Sequence, residues 1–385
     1  MSVTAPQGFV AAGGHIGIKA SGAPDLAVIA TAGGQPVAAA ATFTQNLACA
    51  GPVRVSKRHL EATGGRASGV VLNSGNANCA TGTDVAVAEE MAALAAEAIG
   101  APSAEHVLVC STGLIGIPLD PAPLRTGIPA VADARNPAGG PDAATAIMTT
   151  DTVPKVVAVE GDGWTVGGIA KGAAMLAPNM ATMLAVLTTD ADVEPARLQA
   201  SLSAAVAGSF NRIVVDGCTS TNDTVIVLAG GAAGPPADLR AFDAALSEAC
   251  LSLATQMAHD AEGHTKVVRI EITGAASDAE ADTAARKLAG SLLVKCSFYG
   301  SDPYWGRVLS DLGTAGVALD VDTITIAYDD TVVSRGLAPT GADASAVAAR
   351  PEFTLTCDLG VGEGRAWLLT NDLTHAYVDE NLGTS

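Results

Sequence analysis

Apolar residues along this chain fall into short runs closed by Gly, Pro, Asn and Asp, with a few longer stretches at helical spacing between them. The short runs predict strands over residues 26–32, 37–43, 69–73, 106–111, 155–160, 182–188, 223–229, 266–273, 292–298, 323–327, 353–359 and 366–370. The helical spacing predicts helices over 84–99, 195–208, 238–260 and 278–291, the first with Thr83 as a candidate cap and Gly100 as its stop. Gly33-Gly34-Gln35-Pro36 reads as the turn of a hairpin between the first two runs, and Gly230 to Pro236 reads as a loop. Many strands mixed with long helices predict a layered α/β (α+β) architecture, and 385 residues exceed what one core usually holds, so two lobes are expected.

One of these runs opens unusually. The segment Lys171-Gly-Ala-Ala-Met-Leu-Ala-Pro-Asn-Met-Ala-Thr182-Met-Leu places a hydroxyl residue at the mouth of an apolar strand, just after Pro178 and Asn179, which suit neither helix nor central strand. A threonine hydroxyl is a weak nucleophile unless a base lies beside it. Cleavage of the Ala181-Thr182 bond would supply one, because a free α-amine titrates near ~7.7 to 8.0 and can take the hydroxyl proton. Taken alone, the segment leaves an ordinary strand start and a self-cleavage site both open.

Composition narrows the classes. Hydrophobic residues make up 49% of the chain and charged residues 16%, ample material for burial and not the composition of a disordered chain. A formal charge of -19 argues against binding nucleic acid, which needs clustered Lys and Arg. The seven cysteines are dispersed with no Cys-x-x-Cys pair, as expected of reduced, mostly buried thiols in a cytoplasmic protein. The six histidines form no metal-binding spacing; His259 and His264 are expected at a helix end in a structural or solvent-facing role, and no metal is expected. Residues 1–9 lack a basic and apolar leader, and the uncharged stretches 26–53 and 172–189 are each interrupted by turn residues, so neither secretion nor membrane insertion is expected.

Several polar loops could carry chemistry. Ser111-Thr112-Gly113 reads as a turn in which a hydroxyl and a glycine amide could face one anionic oxygen, the donor pair of an oxyanion hole, although Ser-Thr-Gly is also common turn chemistry. Met148 to Thr152, Asn73 to Asn78 and Asp216 to Asp223 are equally dense in polar side chains, and capped ends or Asx turns explain them as well. Glu262 lies at a helix exit, as a surface acid or a ligand contact.

Together these segments resemble the bifunctional glutamate N-acetyltransferase / ornithine acetyltransferase family of arginine biosynthesis. The resemblance runs through Phe43-Thr-Gln-Asn46, Asn73-Ser-Gly-Asn-Ala-Asn78, Ser111-Thr-Gly113, Ile147-Met-Thr-Thr-Asp-Thr152, the Lys171 segment, Ser220-Thr-Asn-Asp-Thr224, Asp302-Pro-Tyr-Trp-Gly-Arg307 and Thr370-Asn-Asp-Leu-Thr-His-Ala-Tyr-Val378. Departures from the family pattern are Ala174 in place of Gly, Tyr304 in place of Asn, two changes around Glu262, and a tail after Asn381 that is short and lacks an aromatic residue.

The resemblance implies a self-cleaving, N-terminal-nucleophile-like fold of the ornithine acetyltransferase / DmpA type. It implies an α chain of residues 1–181 and a β chain of residues 182–385, cut between Ala181 and Thr182 and assembled as two α and two β chains. Thr182 would be the nucleophile with its own α-amine as base, Thr112 and Gly113 the oxyanion hole, and Thr149, Lys171, Thr182, Glu262, Asn381 and Ser385 the substrate contacts. The implied reaction moves an acetyl group from N2-acetyl-L-ornithine to L-glutamate by a ping-pong route, without a cofactor. Family members differ in whether acetyl-CoA also serves as donor, and no phosphate-binding glycine loop is legible here. The competing expectation is an amide hydrolase or aminopeptidase of the related self-cleaving fold, with water as the acceptor.

Overall fold

The computed structural model describes residues 2–175 and 183–382, and these form two compact units: residues 2–175 and 183–211 with 218–257, and residues 212–217 with 258–382. This division falls elsewhere than the expected cut at 181/182, and the expected residues Ala181, Thr182 and Ser385 lie outside the described residues.

The first unit stacks two sheets. One has four strands in the order Phe9–Gly14, Leu26–Thr31, Gly69–Asn76, Val107–Leu114, with only the last pair parallel. The other has six, in the order Arg66–Ala67, Val37–Phe43, Thr224–Gly234, Leu184–Ala191, Thr165–Lys171, Lys155–Glu160. Their facing sides share one core, in which Ile29, Leu72 and Leu108 meet Ile169, Val186 and Ile226. The outer side of the four-stranded sheet packs Val28 and Val71 against Met91 of helix Asp84–Ile99 and Ile128 of helix Pro121–Asp133. Across the six-stranded sheet lie helix Pro195–Ala207, whose Gln199 accepts from the Ala41 N–H, and helix Leu239–Ala258, whose Gln256 binds the Val156 backbone. The order helix, sheet, sheet, helix covers the central strands on both faces; all six residues of Leu26–Thr31 are buried.

The second unit is a seven-stranded sheet, in the order Ile213–Val214, Gly364–Asn371, Val267–Ala275, Glu352–Asp358, Thr325–Tyr328, Thr331–Arg335, Ala338–Pro339. Val268, Ile270 and Ile272 point from one face into a core with Ala281, Ala285 and Leu288 of helix Asp278–Ala289. The intervening Arg269 and Glu271 are only half-buried, the alternation of a sheet with one covered face. The mixed, layered α/β class expected from the sequence is therefore the class observed.

Five local expectations change. Residues 26–31 and 37–43 do not form a hairpin: the first strand belongs to the four-stranded sheet and the second to the six-stranded one. A hairpin would have left one face of the pair for solvent, whereas both runs are apolar enough to sit at the centre of a stack. Residues 292–298 are a helix, Leu292–Tyr299, capped by Ser291, whose Oγ accepts from the Val294 N–H; Val294 and Phe298, four apart, are its buried face. A short apolar run carries no period long enough to separate the two readings. Thr83 occupies the N-cap position of its helix without a side-chain cap bond, its hydroxyl lying 3.3 Å from that of Thr81 instead. The strand Thr224–Gly234 runs on through the expected loop as far as Gly234, with a register shift where Gly231 takes φ +76°. Ser111-Thr112-Gly113 is the end of a strand and not a turn.

Candidate active site

Two glycines set the geometry where strands Gly69–Asn76 and Val107–Leu114 end side by side. Gly75 has φ +99° and Gly113 φ +136°, and a Cβ on Gly113 would lie 2.3 Å from the Gly75 carbonyl carbon. No side chain fits there, and no L-residue favours that backbone. The preceding polar residues are tied inward: the Ser111 hydroxyl donates to Asn73 Oδ1 at 2.5 Å, and Asn222 Nδ2 donates to the carbonyls of Ser111 at 2.9 Å and Ala77 at 2.6 Å. Thr112, 2% exposed, is thereby held on a rigid edge.

Lys171 reaches this edge from the last position of strand Thr165–Lys171. Its Nζ donates to Thr112 Oγ1 at 3.4 Å, which leaves the Thr112 hydroxyl proton to point elsewhere, and lies 4.0 Å from Asp151 Oδ2. Asp151 is the hub of the cluster. It accepts from Lys155 Nζ at 2.5 Å, from the Gly172 N–H at 2.7 Å and from the Thr149 N–H at 3.0 Å. Burial alone would push the Asp151 carboxyl up, but Lys171, Lys155 and the Thr149 N–H outweigh it and hold the group at about 2. Lys19 joins from another loop, donating to the carbonyls of Met148 at 2.6 Å and Pro24 at 2.8 Å. That loop is wrapped on Asp25, which accepts four successive backbone N–H groups from Ile16 to Lys19. Burial lowers the Lys19 ammonium, and Lys171 adds to the effect while Asp25 and Asp151 oppose it. On the other side, Asp223 accepts from the Met183 N–H at 2.9 Å.

Of the sequence-predicted residues, Thr112, Gly113, Thr149 and Lys171 thus gather in the first unit around Asp151. Glu262 and Asn381 meet in the second unit, where Asn381 Nδ2 donates to Glu262 Oε2 at 2.7 Å. Glu262 lines a recess there with Asp216, Lys295, Asp372 and Tyr377. Lys295 is buried, donates to Thr370 Oγ1 and the Asn371 carbonyl, and is pushed down to about 8 by that burial, with Asp216 and Asp372 opposing. Ala174 has no positive φ, so the usual glycine is not required at that position; the next residue, Met175, takes φ +56°.

Sequence reasoning left Asp151, Lys155, Lys19 and Asp223 without roles. Asp151 and Asp223 sit inside segments already conspicuous for polar density, but Lys155 and Lys19 carry no local signal. Among the described residues no group of His, Cys, Asp and Glu is arranged to hold a metal, and no helix is long and apolar enough to cross a membrane. Among the described residues no two cysteines form a disulfide, and four of the seven are buried. The side chain of His259 meets Glu352 and that of His264 the Ala261 carbonyl.

The chemistry available is that of a buried, cation-bearing edge with a hydroxyl and a backbone amide, suited to an anionic oxygen. Comparison with known proteins gives it a family. The ArgJ family profile matches residues 10–383. The arginine biosynthesis bifunctional protein ArgJ of Mycolicibacterium paratuberculosis is 47% identical over 392 residues, covering 100% of this chain and 96% of that protein. Its counterpart from Thermobifida fusca is 46% identical over 389 residues, covering 100% of both. The crystal structure of ornithine acetyltransferase complexed with ornithine from Mycobacterium tuberculosis is 48% identical, covers 46% of this chain and 94% of that chain, and has a TM-score of 0.44. A match that spans nearly the whole chain, with close to half the residues identical in full-length relatives, places this protein in the ArgJ family of bifunctional arginine-biosynthesis enzymes.

Proposed function

We propose that this acetyltransferase carries an acetyl group from N2-acetyl-L-ornithine to L-glutamate through an ester on Thr182. Self-cleavage of the Ala181-Thr182 bond frees the α-amine that acts as its base. The amine accepts the Thr182 hydroxyl proton as Oγ attacks the acetyl carbonyl; the tetrahedral oxyanion is held by the Thr112 hydroxyl and the Gly113 N–H; the proton passes to the departing nitrogen of ornithine. Glutamate's amine then attacks the acetyl ester, and the same groups return Thr182 to its starting state, so the kinetics are ping-pong. Each oxyanion donor is worth about 2.7 to 4 kcal/mol of barrier.

The observation that carries this reading is the meeting of Lys171 and Thr112. Because the ammonium donates to Thr112 Oγ1 at 3.4 Å, the hydroxyl is polarised and its proton remains to be offered to an oxyanion. Lys171 also supplies a cation for the substrate α-carboxylate beside Thr149, and Glu262 a partner for the ornithine side-chain ammonium, with Asn381 and Ser385 as further substrate contacts. The proposal extends to a cytoplasmic assembly of two α and two β chains.

The test combines a denaturing gel with an acetyl-transfer assay. Two fragments meeting at 181/182 and acetyl transfer that requires glutamate are expected; a single uncut band with full activity would refute the nucleophile. Acetate released from N-acetylornithine without glutamate would point to the hydrolase instead. Acetyl-CoA with glutamate as sole substrates decides whether a second donor is used.

A further inference from the structure

The proposed reaction takes two amino acids in turn, and their side chains carry opposite charges. Ornithine ends in an ammonium and glutamate in a carboxylate, so an acid that attracts the first repels the second. Glu262, as the partner of the ornithine ammonium, leaves the glutamate γ-carboxylate in need of a cation. The recess that Glu262 lines in the second unit holds one. Its volume is about 90 Å³, enough for the charged end of a side chain, and its other charged residues are Asp216, Asp372 and Lys295. The acids are engaged: Glu262 Oε2 accepts from Asn381 Nδ2 at 2.7 Å and Asp216 Oδ2 from the Tyr377 hydroxyl at 3.3 Å. Asp372 accepts from the N–H groups of Thr265 at 2.8 Å and Lys266 at 2.9 Å, and from the Thr265 hydroxyl at 2.5 Å.

Lys295 is held differently. It stands on helix Leu292–Tyr299, is 3% exposed, and donates to neutral oxygens, Thr370 Oγ1 at 2.9 Å and the Asn371 carbonyl. An ammonium has three N–H groups, so one is left over among the described residues, and no carboxylate is in direct contact with it. The groups around it place the ammonium at the recess wall: Asn371 accepts from it, Asp216 and Asp372 act on it through space, and all three line the recess. We infer that Lys295 is a specificity-determining residue for the acceptor, its ammonium receiving the γ-carboxylate of glutamate in the recess where Glu262 receives the ammonium of ornithine. This rests on the reading that both amino acids use one site. The entering carboxylate gives the third N–H a charge-assisted bond. It also supplies the anion whose absence lets burial draw Lys295 down to about 8.

The experiment compares the full chain as wild type, Lys295→Gln, Lys295→Met and Lys295→Arg in two reactions. One is acetyl transfer from N-acetylornithine to glutamate; the other is exchange of labelled ornithine into N-acetylornithine, which uses the same site with the other side chain. Melting temperature is measured alongside. Lys295→Gln removes the charge but keeps two N–H groups for Thr370 and the Asn371 carbonyl, and Lys295→Met removes both. The expected result in the two neutral variants is a KM for glutamate raised by at least about 30-fold. The KM for ornithine in exchange should stay within about threefold of wild type or fall, since the variants lose a cation that repels ornithine. Lys295→Arg, which keeps the cation, should restore part of the glutamate KM. A glutamate KM within about threefold of wild type in Lys295→Gln would overturn the proposal. So would equal losses in both reactions, or a collapse in melting temperature in both neutral variants, since Lys295 would then serve the fold. A wild type that exchanges no ornithine, or that passes acetyl only to water, would instead defeat the proposed function whatever Lys295 does.

Discussion

At the scale of single residues, the first unit is organised by a charge that no motif announced. Asp151 and Lys155 are both buried, and the pair is bound at 2.5 Å. Removing one partner of such a pair leaves an uncompensated buried charge. Asp151 also accepts from the Thr149 N–H and lies 4.0 Å from Lys171 Nζ, so one carboxylate joins two of the expected substrate contacts. Its folded-state value of about 2 is below that of an unfolded aspartate, near ~3.9. The stabilisation is therefore present above pH ~3.9 and lost as pH falls toward 2, amounting to about 2 to 3 kcal/mol. Asp151→Asn should weaken the protein at neutral pH and remove that part of its acid dependence, seen as a flatter plot of urea midpoint against pH between 4 and 2. An unchanged slope would mean that the two lysines do not hold the carboxylate as described. Thr112, Gly113, Thr149 and Lys171 were legible as candidates because they lie in recognisable segments. The hub was not assigned, since its partners are backbone amides and a lysine whose role appears only once strand and loop have met.

At the scale of elements, local pattern succeeded where a period or a strong stop was present. Helix Asp84–Ile99 and strands Val37–Phe43 and Lys155–Glu160 have the expected bounds, and Gly100 ends its helix in the left-handed conformation. It failed for the pairing of Leu26–Thr31 with Val37–Phe43, because a turn sequence specifies a change of direction but not the partner of each strand. Gly34 shows what that turn answers to. It takes φ +69°, and a Cβ there would lie 2.4 Å from the carbonyl oxygen of Ile99 at the end of a helix. Gly34→Ala should cost about 2 to 4 kcal/mol from the backbone strain and the forced contact together. A urea midpoint within error of wild type would show that the turn can move off the helix end.

For the whole molecule, buried thiols dominate the alkaline response. Burial pushes Cys110 and Cys250 up to about 12 and Cys357 higher still. Raised folded-state values mean stability that is complete below the unfolded thiol value of ~8.5 and is lost as pH rises from there through the folded value. At pH 10 the loss is about 2 kcal/mol per thiol and about 6 for the three. Lys295 acts in the opposite sense: its folded value of about 8 lies below the unfolded ~10.4, so folding recovers about 2 kcal/mol between pH 8.5 and 10. The thiols outweigh it. Urea midpoints should fall between pH 8.5 and 10, and Cys250→Ala should remove about a third of the thiol contribution to that slope, whatever it costs in packing. A slope unaffected by the substitution would place the alkaline sensitivity elsewhere.

The amino-acid sequence by itself determined the α/β class, most of the strands, the longest helices and membership of a family through ordered short motifs, because each of these depends on residues close together in the chain. Only the tertiary structure decided which strands share a sheet, that residues 292–299 are helical, and how the cluster is wired. Lys171 and Thr112 are 59 residues apart, Asp223 and Met183 are 40 apart, and Lys19 and Met148 are 129 apart. Contacts at such separations are formed by the packing of whole layers. They leave no period or spacing in the chain, and a buried charge becomes interpretable only when every group that faces it is known.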